Sequence, residues 1–582
     1  MRIGTVWALA AITAAAATSS PSSSCRCFPG DPCWPSSSTW AQFNASIDGR
    51  LIATRPLGSP CHDPTYDEAL CKQLKLSWTD PEPHYESSSS IMAPFFANAS
   101  CDPFHPIPKP CALGNYVSYA VNVSSVEHVS KSLAFAKKHN IRPVIRNTGH
   151  DYQGKSTGAG ALGLWMHHLK NLSLTTHSDS RYSGPALKVG AGVQGIEAYE
   201  FADKHGYQVV GGECPSVGIA GGYTQGGGHS ALSSRYGLGA DQALEWEVID
   251  GQGRHIIATR ENTHSDLYWA LSGGGGGTYG VVLSLTVKLH PGTPVSGLNL
   301  TFTRTGLSEK QYYNAIQLYQ IIQAPLVDAG GMAIVTFTNE SFLLSPVTGP
   351  NIPVDELVSL LEPFTSGLHA LGVEYTLYSA QFPSYLSQFS TMQGFIPVGI
   401  AQYGGWLIPR DIITNSPEKV TAAFRDIVED GGTVINVALD VGRNVVDVEN
   451  MGNSVLPAWR EALVHSTLTT PWVWDSPEKM EEAQRRMTEV YVPKLRGLAP
   501  RSGAYLNEGD FRQPNFQRVF YGENYAQLRS IKGKYDPDEM FYALTGVGSE
   551  RWVQREDGRL CQAESTQSEL LSRLHRYSAD EL

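Results

Sequence analysis

The chain has 582 residues, of which 41% are apolar and 17% are charged. This is too long for a single hydrophobic core, so we expect two or three domains. The net charge of −12 excludes the broad basic surface that nucleic acids or anionic membranes require, and the expected partner is a small molecule.

Residues 1–19 have the composition of a secretory signal peptide. Arg2 precedes an apolar run from Val6 to Ala17, and small residues follow, which predicts cleavage between Ala17 and Ser24. The run is too short to span a bilayer. We therefore expect a secreted, extracellular protein without a membrane anchor.

Residues 20–112 form a cysteine-rich segment that agrees with an oxidising compartment. Eight cysteines could pair as four disulfides whose connectivity the sequence leaves open: Cys25, Cys27, Cys33, Cys61, Cys71, Cys101, Cys111 and Cys561. The ninth, Cys214, stands alone. Six glycosylation sequons also fit secretion, at Asn44, Asn98, Asn122, Asn171, Asn299 and Asn339.

The next region, 113–293, begins with a strand–helix–strand pattern. Residues 116–123 read as a strand, and the following helix opens with Ser124 three residues before Glu127, as in a capping box. A short strand over 141–145 leads into a glycine-rich loop in which His150 directly follows Gly149. This order is typical of α+β or α/β nucleotide-binding domains.

Two more glycine-rich blocks follow, over 211–239 and 273–282, with a predicted hairpin over 245–258 that turns at Asp250–Gly253. The blocks do not match a P-loop or a clean dinucleotide-binding fingerprint. Three glycine loops predict a long cofactor that several loops contact along its length.

Residues 294–495 predict a second α+β domain. Two of its helices begin with the same Ser-Pro-Glu signal, at Ser416 and Ser476. Residues 496–560 are again rich in glycine and tyrosine, and we expect them to rejoin the first domain as a C-terminal return. Residues 561–582 form a tail. His167 and His168 have no third ligand at a suitable spacing, so no metal site is expected.

Four stretches together carry a resemblance to a known family: "RNTGHDYQGKSTG" (146–158), "GGECPSVGIAGGYTQGGGHSALSSRYGLGAD" (211–241), "GGGGGTYGVV" (273–282) and "NYAQLRSIKGKYDPDEMF" (524–541). They resemble the vanillyl-alcohol oxidase/p-cresol methylhydroxylase flavoproteins, in the berberine-bridge-enzyme-like branch, and secreted fungal isoamyl alcohol oxidase-like members in particular. The resemblance implies an α+β fold, with a two-lobed FAD-binding domain and a substrate domain built on an antiparallel sheet.

The resemblance also implies how FAD is held. His150 matches the histidine joined to the flavin 8α-methyl carbon, and Cys214 matches the cysteine joined to flavin C6. Val281 and Val282 would flank the adenine, although an ordinary place in a sheet core fits them almost as well, and His229 is equally compatible with flavin contact and loop packing. The other expected FAD contacts are Arg146, Asn147, Thr148, Gly149, Asp151, Ser156, Gly211, Gly212, Pro215, Ser216, Gly218, Gly221, Gly222, Gly228 and Asn507.

The implied activity is hydride abstraction from an alcohol, a saccharide or a secondary metabolite. Val217, a small residue three positions after Cys214, implies an oxidase that reduces molecular oxygen to H2O2. In "AYLNEGDF", Tyr505 and Asn507 match a tyrosine-base motif of related oxidases, while Glu508 replaces its second tyrosine. Strand alternation would turn Tyr505 toward the flavin and Glu508 away. We therefore favour Tyr505 as the base, with Glu508 as the alternative.

Two other functions stay open from the sequence. One is an FAD-dependent dehydrogenase with another electron acceptor, and the other is a flavin-binding protein of low activity, which the altered tyrosine motif would suit. We expect a monomer.

Overall fold

The computed structural model describes residues 25–97, 101–442, 445–446 and 452–563. The predicted signal peptide, the Asn98 sequon and the tail beyond residue 563 lie outside the described residues. The predicted domain limits stay predictions.

The described chain contains helices throughout its length. They are α1 (Ser37–Ser46), α2 (Glu68–Ser77), α3 (Pro81–Tyr85), α4 (Val126–Lys138), α5 (Gly195–Lys204), α6 (Ser233–Tyr236), α7 (Gly239–Gln242), α8 (Ser265–Leu271), α9 (Glu309–Asp328), α10 (Val354–Ala370), α11 (Tyr385–Met392), α12 (Arg410–Asn415), α13 (Pro417–Val428), α14 (Pro477–Arg486), α15 (Val492–Leu498) and α16 (Tyr525–Tyr535).

The strands are distributed over five sheets. They are β1 (Leu51–Ala53), β2 (Tyr119–Asn122), β3 (Pro143–Arg146), β4 (Leu162–Trp165), β5 (Leu172–Ser178), β6 (Ser183–Gly190), β7 (Tyr207–Gln208), β8 (Ala243–Asp250), β9 (His255–Thr259), β10 (Gly280–Lys288), β11 (His290–Pro291), β12 (Val295–Thr303), β13 (Met332–Phe337), β14 (Ser341–Pro350), β15 (Thr376–Phe382), β16 (Ala401–Pro409), β17 (Thr433–Ala438), β18 (Ala462–Pro471), β19 (Trp552–Gln554) and β20 (Leu560–Gln562).

Two sheets build the N-terminal half. The smaller one has the order β1-β2-β4-β3, with β4 parallel to both β2 and β3, and the larger one is antiparallel with the order β5-β6-β10-β8-β9. Strand β10 is buried on both faces: Val281 packs in the core shared with the smaller sheet, and Val282 packs in the main core on the other side. The first glycine loop starts where β3 ends, at Arg146.

A seven-stranded antiparallel sheet with the order β15-β12-β14-β13-β17-β18-β16 forms the second half. Because side chains alternate along strands, one face carries Val335, Phe342 and Leu300, which are fully buried in the main core. The opposite face carries Tyr403 and His465 where the sheet approaches the N-terminal half. This face brings side chains from the second half to the glycine loops.

Several local predictions are confirmed. The hairpin of β8 and β9 turns at the predicted place, where the Gly253 N–H donates to the Asp250 carbonyl at 2.9 Å. Ser416 and Ser476 stand at the helix starts. One prediction was off by one residue: the cap of α4 is Ser125, whose hydroxyl accepts from the His128 N–H.

The eight predicted cysteines form four disulfides, and among the described residues only Cys214 remains a free thiol. The pairs are Cys25–Cys561, Cys27–Cys33, Cys61–Cys71 and Cys101–Cys111. The first joins positions 536 residues apart, so it ties the N-terminal segment to the chain directly after the C-terminal return (496–560).

No helix in the described ranges is both long enough and apolar enough to cross a bilayer.

Candidate active site

A deep cleft lies where the three glycine loops meet the seven-stranded sheet and the C-terminal return. It contains about 1190 Å³ of empty space, a figure that includes space open to solvent. Sixteen predicted site residues line it: Asn147, Thr148, Gly149, His150, Asp151, Ser156, Gly212, Cys214, Val217, Gly218, Gly221, Gly222, His229, Tyr505, Asn507 and Glu508.

The first glycine loop is shaped by its own side chains. Gly149 has φ +86°, a left-handed conformation that favours glycine, and this conformation sends His150 toward the cleft. Asp151 does not reach across the cleft, because its carboxylate accepts backbone N–H groups of Gln153, Lys155 and Ser156 and so closes the loop. Asp151 is therefore a residue that holds the loop's shape.

His150 and Cys214 converge from separate loops. The Cys214 Sγ lies 4.0 Å from the His150 Nε2, and the Ser216 hydroxyl lies 2.8 Å from that nitrogen and 3.6 Å from the sulfur. Burial, with the nearby charges of His84 and Arg146, lowers the pKa of His150 to about 3, so the imidazole is neutral. Burial raises the pKa of the Cys214 thiol.

The second glycine block packs closely against Asn147 of the first loop. A Cβ at Gly218 or Gly221 would lie 2.5 or 2.6 Å from the Asn147 side chain. At Gly222 and Gly277, by contrast, a Cβ would meet no described atom within 4 Å and would project into the cleft. The bare backbone there leaves room for a flat ring to approach closely.

The donor set fits a dinucleotide such as FAD. The Asn147 Oδ1 is buried without a hydrogen-bond partner in the described part of the chain and lies on the cleft wall, where a ring N–H could satisfy it. Lys155 lines the cleft as well, with a pKa lowered to about 8 by burial, and a cation there suits a phosphate. Backbone N–H groups of the first loop add further donors.

At the other end of the cleft, Glu508 lies at the centre of a buried polar network. Its Oε1 accepts from the His229 Nε2 at 3.0 Å, and its Oε2 lies 2.8 Å from the His465 Nε2 and 3.1 Å from the Thr467 hydroxyl, which donates to it. On the far side of His229, Nδ1 forms an ion pair with Glu213 Oε2 at 3.2 Å. The imidazole of His229 thus lies between two carboxylates.

The charges in this network follow from its geometry. Burial opposes a charged His229, but the charges of Glu213 and Glu508 outweigh it and hold the pKa of His229 well above its ordinary value. Burial likewise opposes a charged Glu508, but the His229 cation and the hydrogen bonds hold the pKa of Glu508 well below its usual range. Burial lowers the pKa of His465, which is therefore neutral. Glu508 is an ionised carboxylate with a quarter of its side chain exposed to the cleft.

The strand predicted around Tyr505 is wrong. Residues 506–508 form a turn in which the Glu508 N–H donates to the Tyr505 carbonyl at 3.1 Å. The turn brings Glu508 to the same side as Tyr505, where both line the cleft. Gln153 of the first loop also supports the turn, because its amide donates to the Gly509 carbonyl at 3.0 Å.

Tyr505 is neutral in this setting. Burial and then the charge of Glu508 raise the pKa of its phenol far above the ordinary value. The phenolic oxygen accepts from the Gly228 N–H at 3.2 Å and from the Asn507 Nδ2 at 2.7 Å. With two donors on the oxygen, the phenolic proton remains available to an acceptor in the cleft.

The remaining predicted residues lie behind the cleft wall. Arg146 is buried beneath Gly149, donates to the His84 carbonyl at 2.7 Å, and has a pKa lowered to about 10 by burial. Val281 and Val282 are in the sheet core, the alternative that fits them as well, and do not line the cleft. The four others are Gly211, Pro215, Ser216 and Gly228, which support the wall from the second layer.

Sequence reasoning missed several residues of the site. Glu213 directly precedes Cys214, and Lys155 lies within the first glycine loop. Their position next to predicted site residues is the signal that marks them. His465 and Thr467 come from β18, where no local pattern marks them. Tyr403 of β16 is also unmarked, and its ring stacks on Tyr152 of the first loop at a centroid distance of 3.8 Å with 4° between the ring planes.

Comparison with known proteins adds two matches to family models. Residues 117–259 match the FAD binding domain family, and residues 504–548 match the family described as berberine and berberine like. The first covers the loops that carry His150 and Cys214, and the second covers the turn that carries Tyr505 and Glu508.

Similar proteins cover nearly the whole chain. The FAD-linked oxidoreductase ZEB1 of Gibberella zeae is 48% identical over 93% of this chain and 96% of its own length, and the VAO-type flavoprotein oxidase VAO615 of Thermothelomyces thermophilus is 43% identical over 93% and 96%. The crystal structure of the VAO-type flavoprotein MtVAO615 from Myceliophthora thermophila aligns with a TM-score of 0.87 at 42% identity, over 93% of this chain and 100% of its own.

Gly149 provides a test of how the first loop is held. A Cβ there would lie 2.6–2.8 Å from the buried Arg146 guanidinium and would push it from the His84 carbonyl, whereas Gly253 has a similar φ of +81° in open space. We expect Gly253→Ala to cost about 1 kcal/mol from backbone strain alone, and Gly149→Ala to cost on the order of 2–4 kcal/mol. Thermal unfolding of the two variants, with bound FAD per chain, measures this. Equal shifts in both would contradict the packing described for Arg146.

Proposed function

This chain belongs to the vanillyl-alcohol oxidase family of FAD-linked oxidoreductases, in its berberine-bridge-enzyme-like branch, and from that premise we propose a secreted oxidase with doubly attached FAD. The observation that carries the proposal is that one cleft contains two pairs of residues. One pair is His150 and Cys214, and the other is the ionised Glu508 with the protonated phenol of Tyr505. Four disulfides support an oxidising, extracellular location.

The residues that would hold FAD are those of the three glycine loops. When bound, the chemistry that FAD supplies is acceptance of a hydride from the substrate and delivery of the electrons to molecular oxygen, which becomes H2O2. Lys155 and the backbone N–H groups of the first loop suit the phosphates. The open backbone at Gly222 and Gly277 suits the ring system.

His150 and Cys214 are the proposed attachment residues. The Cys214 Sγ lies 4.0 Å from the His150 Nε2, and the two residues come from separate loops, which suits links to two positions on the same edge of the flavin ring. The low pKa of His150 keeps its imidazole neutral and nucleophilic at mildly acidic pH. Two covalent links would free the rest of the cleft for a bulky substrate.

Acid precipitation tests the attachment. We expect the precipitated protein to stay yellow, because both links survive unfolding, and we expect His150→Ala or Cys214→Ala alone to retain the flavin through the other link. The double variant should release it. Absorbance of the supernatant measures the released flavin, and free FAD from the wild-type protein would contradict both links.

Glu508 is the proposed acceptor of the substrate's proton. A general base has to be unprotonated and within hydrogen-bond reach of the group that it deprotonates, and it accepts a proton more strongly the nearer its pKa lies to the working pH. The low pKa of Glu508 makes it a weak base that is ionised throughout the working range, so the transfer has to accompany hydride loss. Glu508 is ionised and partly exposed to the cleft, whereas the neutral phenol of Tyr505 would first have to lose a proton against a nearby negative charge. This reverses the ranking that the sequence favours.

Tyr505 has the complementary role. With its oxygen held by the Gly228 N–H and the Asn507 amide, its O–H can donate to the substrate's oxygen and orient the hydroxyl toward Glu508. Proton removal by Glu508 then accompanies hydride loss from the adjoining carbon. A small-molecule alcohol, including the hydroxyl of a saccharide or secondary metabolite, suits this pair.

Val217 supports an oxidase. It is half-buried, lines the cleft and follows Cys214 by three residues, so its short side chain leaves space for oxygen beside the proposed ring position. A dehydrogenase with another acceptor would share every other feature of the site. The response to oxygen therefore separates the two functions.

A two-stage kinetic experiment tests the function and the base together. Primary and secondary alcohols, phenols and oligosaccharides are screened for anaerobic bleaching of the flavin, and oxygen is then admitted. We expect rapid reoxidation with one H2O2 per substrate. Because the proton acceptor is lost, Glu508→Gln should slow bleaching by roughly 10²-fold or more. Tyr505→Phe, which removes only a donor, should slow it less.

The outcomes are distinct. Bleaching without reoxidation by oxygen would indicate a dehydrogenase, and no bleaching across the panel would favour a flavin-binding protein of low activity. A larger effect of Tyr505→Phe than of Glu508→Gln would return the base to Tyr505.

A further inference from the structure

The sheet face that approaches the cleft continues outward beyond the N-terminal half. The strand register places one row of side chains across this face: Ile435, Thr336, Leu343 and Thr301. The edge strand β15 contributes Tyr378 to the same face. Tyr378 is 50% exposed and Leu343 is 44% exposed. The outer part of the sheet therefore presents apolar side chains to solvent.

The edge of the same sheet is also open. Strand β15 pairs with β12 on its inner side, and no described strand pairs with its outer side. Residues 376–379 are exposed. An open edge with exposed apolar residues invites pairing with a second chain, and natural proteins cover such edges.

One of the sequons lies at this place. Asn299, in the sequence Asn-Leu-Thr that ends at Thr301, is on β12 directly opposite Tyr378, so both side chains lie on the outer face. Residues paired in this way have Cβ atoms roughly 4.5–5.5 Å apart. Asn299 is half-buried as a whole, and its Oδ1 is buried with no hydrogen-bond partner among the described residues.

We propose that Asn299 carries an N-linked glycan whose first sugar lies on the Tyr378 ring and covers the edge of the sheet. The donor is a lipid-diphosphate-linked oligosaccharide of the secretory route. The bond between its sugar C1 and the diphosphate oxygen breaks, the bond from C1 to Nδ2 forms, Nδ2 gives up one proton, and the lipid diphosphate leaves. The carbohydrate is bulky and solubilising, which suits an exposed apolar face.

Other sequons lack this setting. Asn44 lies in the last turn of α1, where its Oδ1 accepts the Leu51 N–H at 2.9 Å, and it has no cross-strand aromatic partner. Asn171 is exposed, directly precedes β5 and lies outside any described strand. Among these three, Asn299 alone has an exposed aromatic partner on the neighbouring strand.

The first test is site occupancy in the full chain secreted by a eukaryotic host. Enzymatic removal of glycans in heavy-oxygen water, followed by mass spectrometry of peptides, marks each modified asparagine. We expect Asn299 to be modified in most molecules and unmodified in Thr301→Val, which keeps the asparagine but removes the sequon. A secreted, folded chain with Asn299 unmodified overturns the proposal.

The second test addresses the contact with Tyr378. We expect Tyr378→Ala to speed enzymatic release of the Asn299 glycan from the native protein by roughly 2- to 10-fold, the scale of one aromatic contact. Tyr66→Ala, which removes another exposed tyrosine in the N-terminal segment, is the matched control. Equal release rates in all three proteins would overturn the contact.

The third test addresses the edge. We expect Asn299→Gln to form dimers at concentrations where the wild-type protein and Asn171→Gln remain monomeric, as measured by light scattering after size exclusion. A monomeric Asn299→Gln would overturn the edge-covering role. None of these tests uses turnover, so their results are independent of the proposed oxidase activity.

Discussion

The site depends on keeping one carboxylate ionised in a largely buried place. An isolated buried carboxylate would take up a proton, because burial penalises its charge by several kcal/mol. Glu508 avoids this because His229 presents a cation to it, and His229 is in turn held charged by Glu213 on its other nitrogen. His465 and the Thr467 hydroxyl occupy the remaining oxygen.

This constraint explains why three distant parts of the chain have to meet. Glu213 and His229 come from the second glycine block, His465 from β18 of the seven-stranded sheet, and Glu508 from the C-terminal return. Removing either half of the structure would leave a charge without its partner. Glu213 also adjoins Cys214, so the chain that carries a proposed attachment residue also carries one end of the charge network.

The sequence predicts those parts of the site that short local motifs mark. The glycine loops, the pair of His150 and Cys214, and the separation of the cysteines into eight and one follow from motifs and counts. Strand alternation predicts that Glu508 points away from Tyr505. The prediction fails because residues 506–508 form a turn, which Gln153 of another loop helps to hold. His465 was not predicted, because its partner Glu508 is 43 residues away in sequence and only the folded sheet brings the two together. Val281 and Val282 are buried in the sheet core, the alternative that the sequence leaves open for them.

The measurement that tests this account most directly is the pH dependence of anaerobic flavin reduction in the wild-type protein and in His229→Gln. With the His229 cation present, Glu508 stays ionised well below the ordinary glutamate pKa of about 4.3, so the wild-type rate should stay level between about pH 7 and pH 5. Without the cation, burial dominates and raises the pKa of Glu508, so the variant's rate should fall as the pH is lowered through the same range. Identical pH profiles for the two proteins would contradict the claim that His229 holds Glu508 in its reactive form.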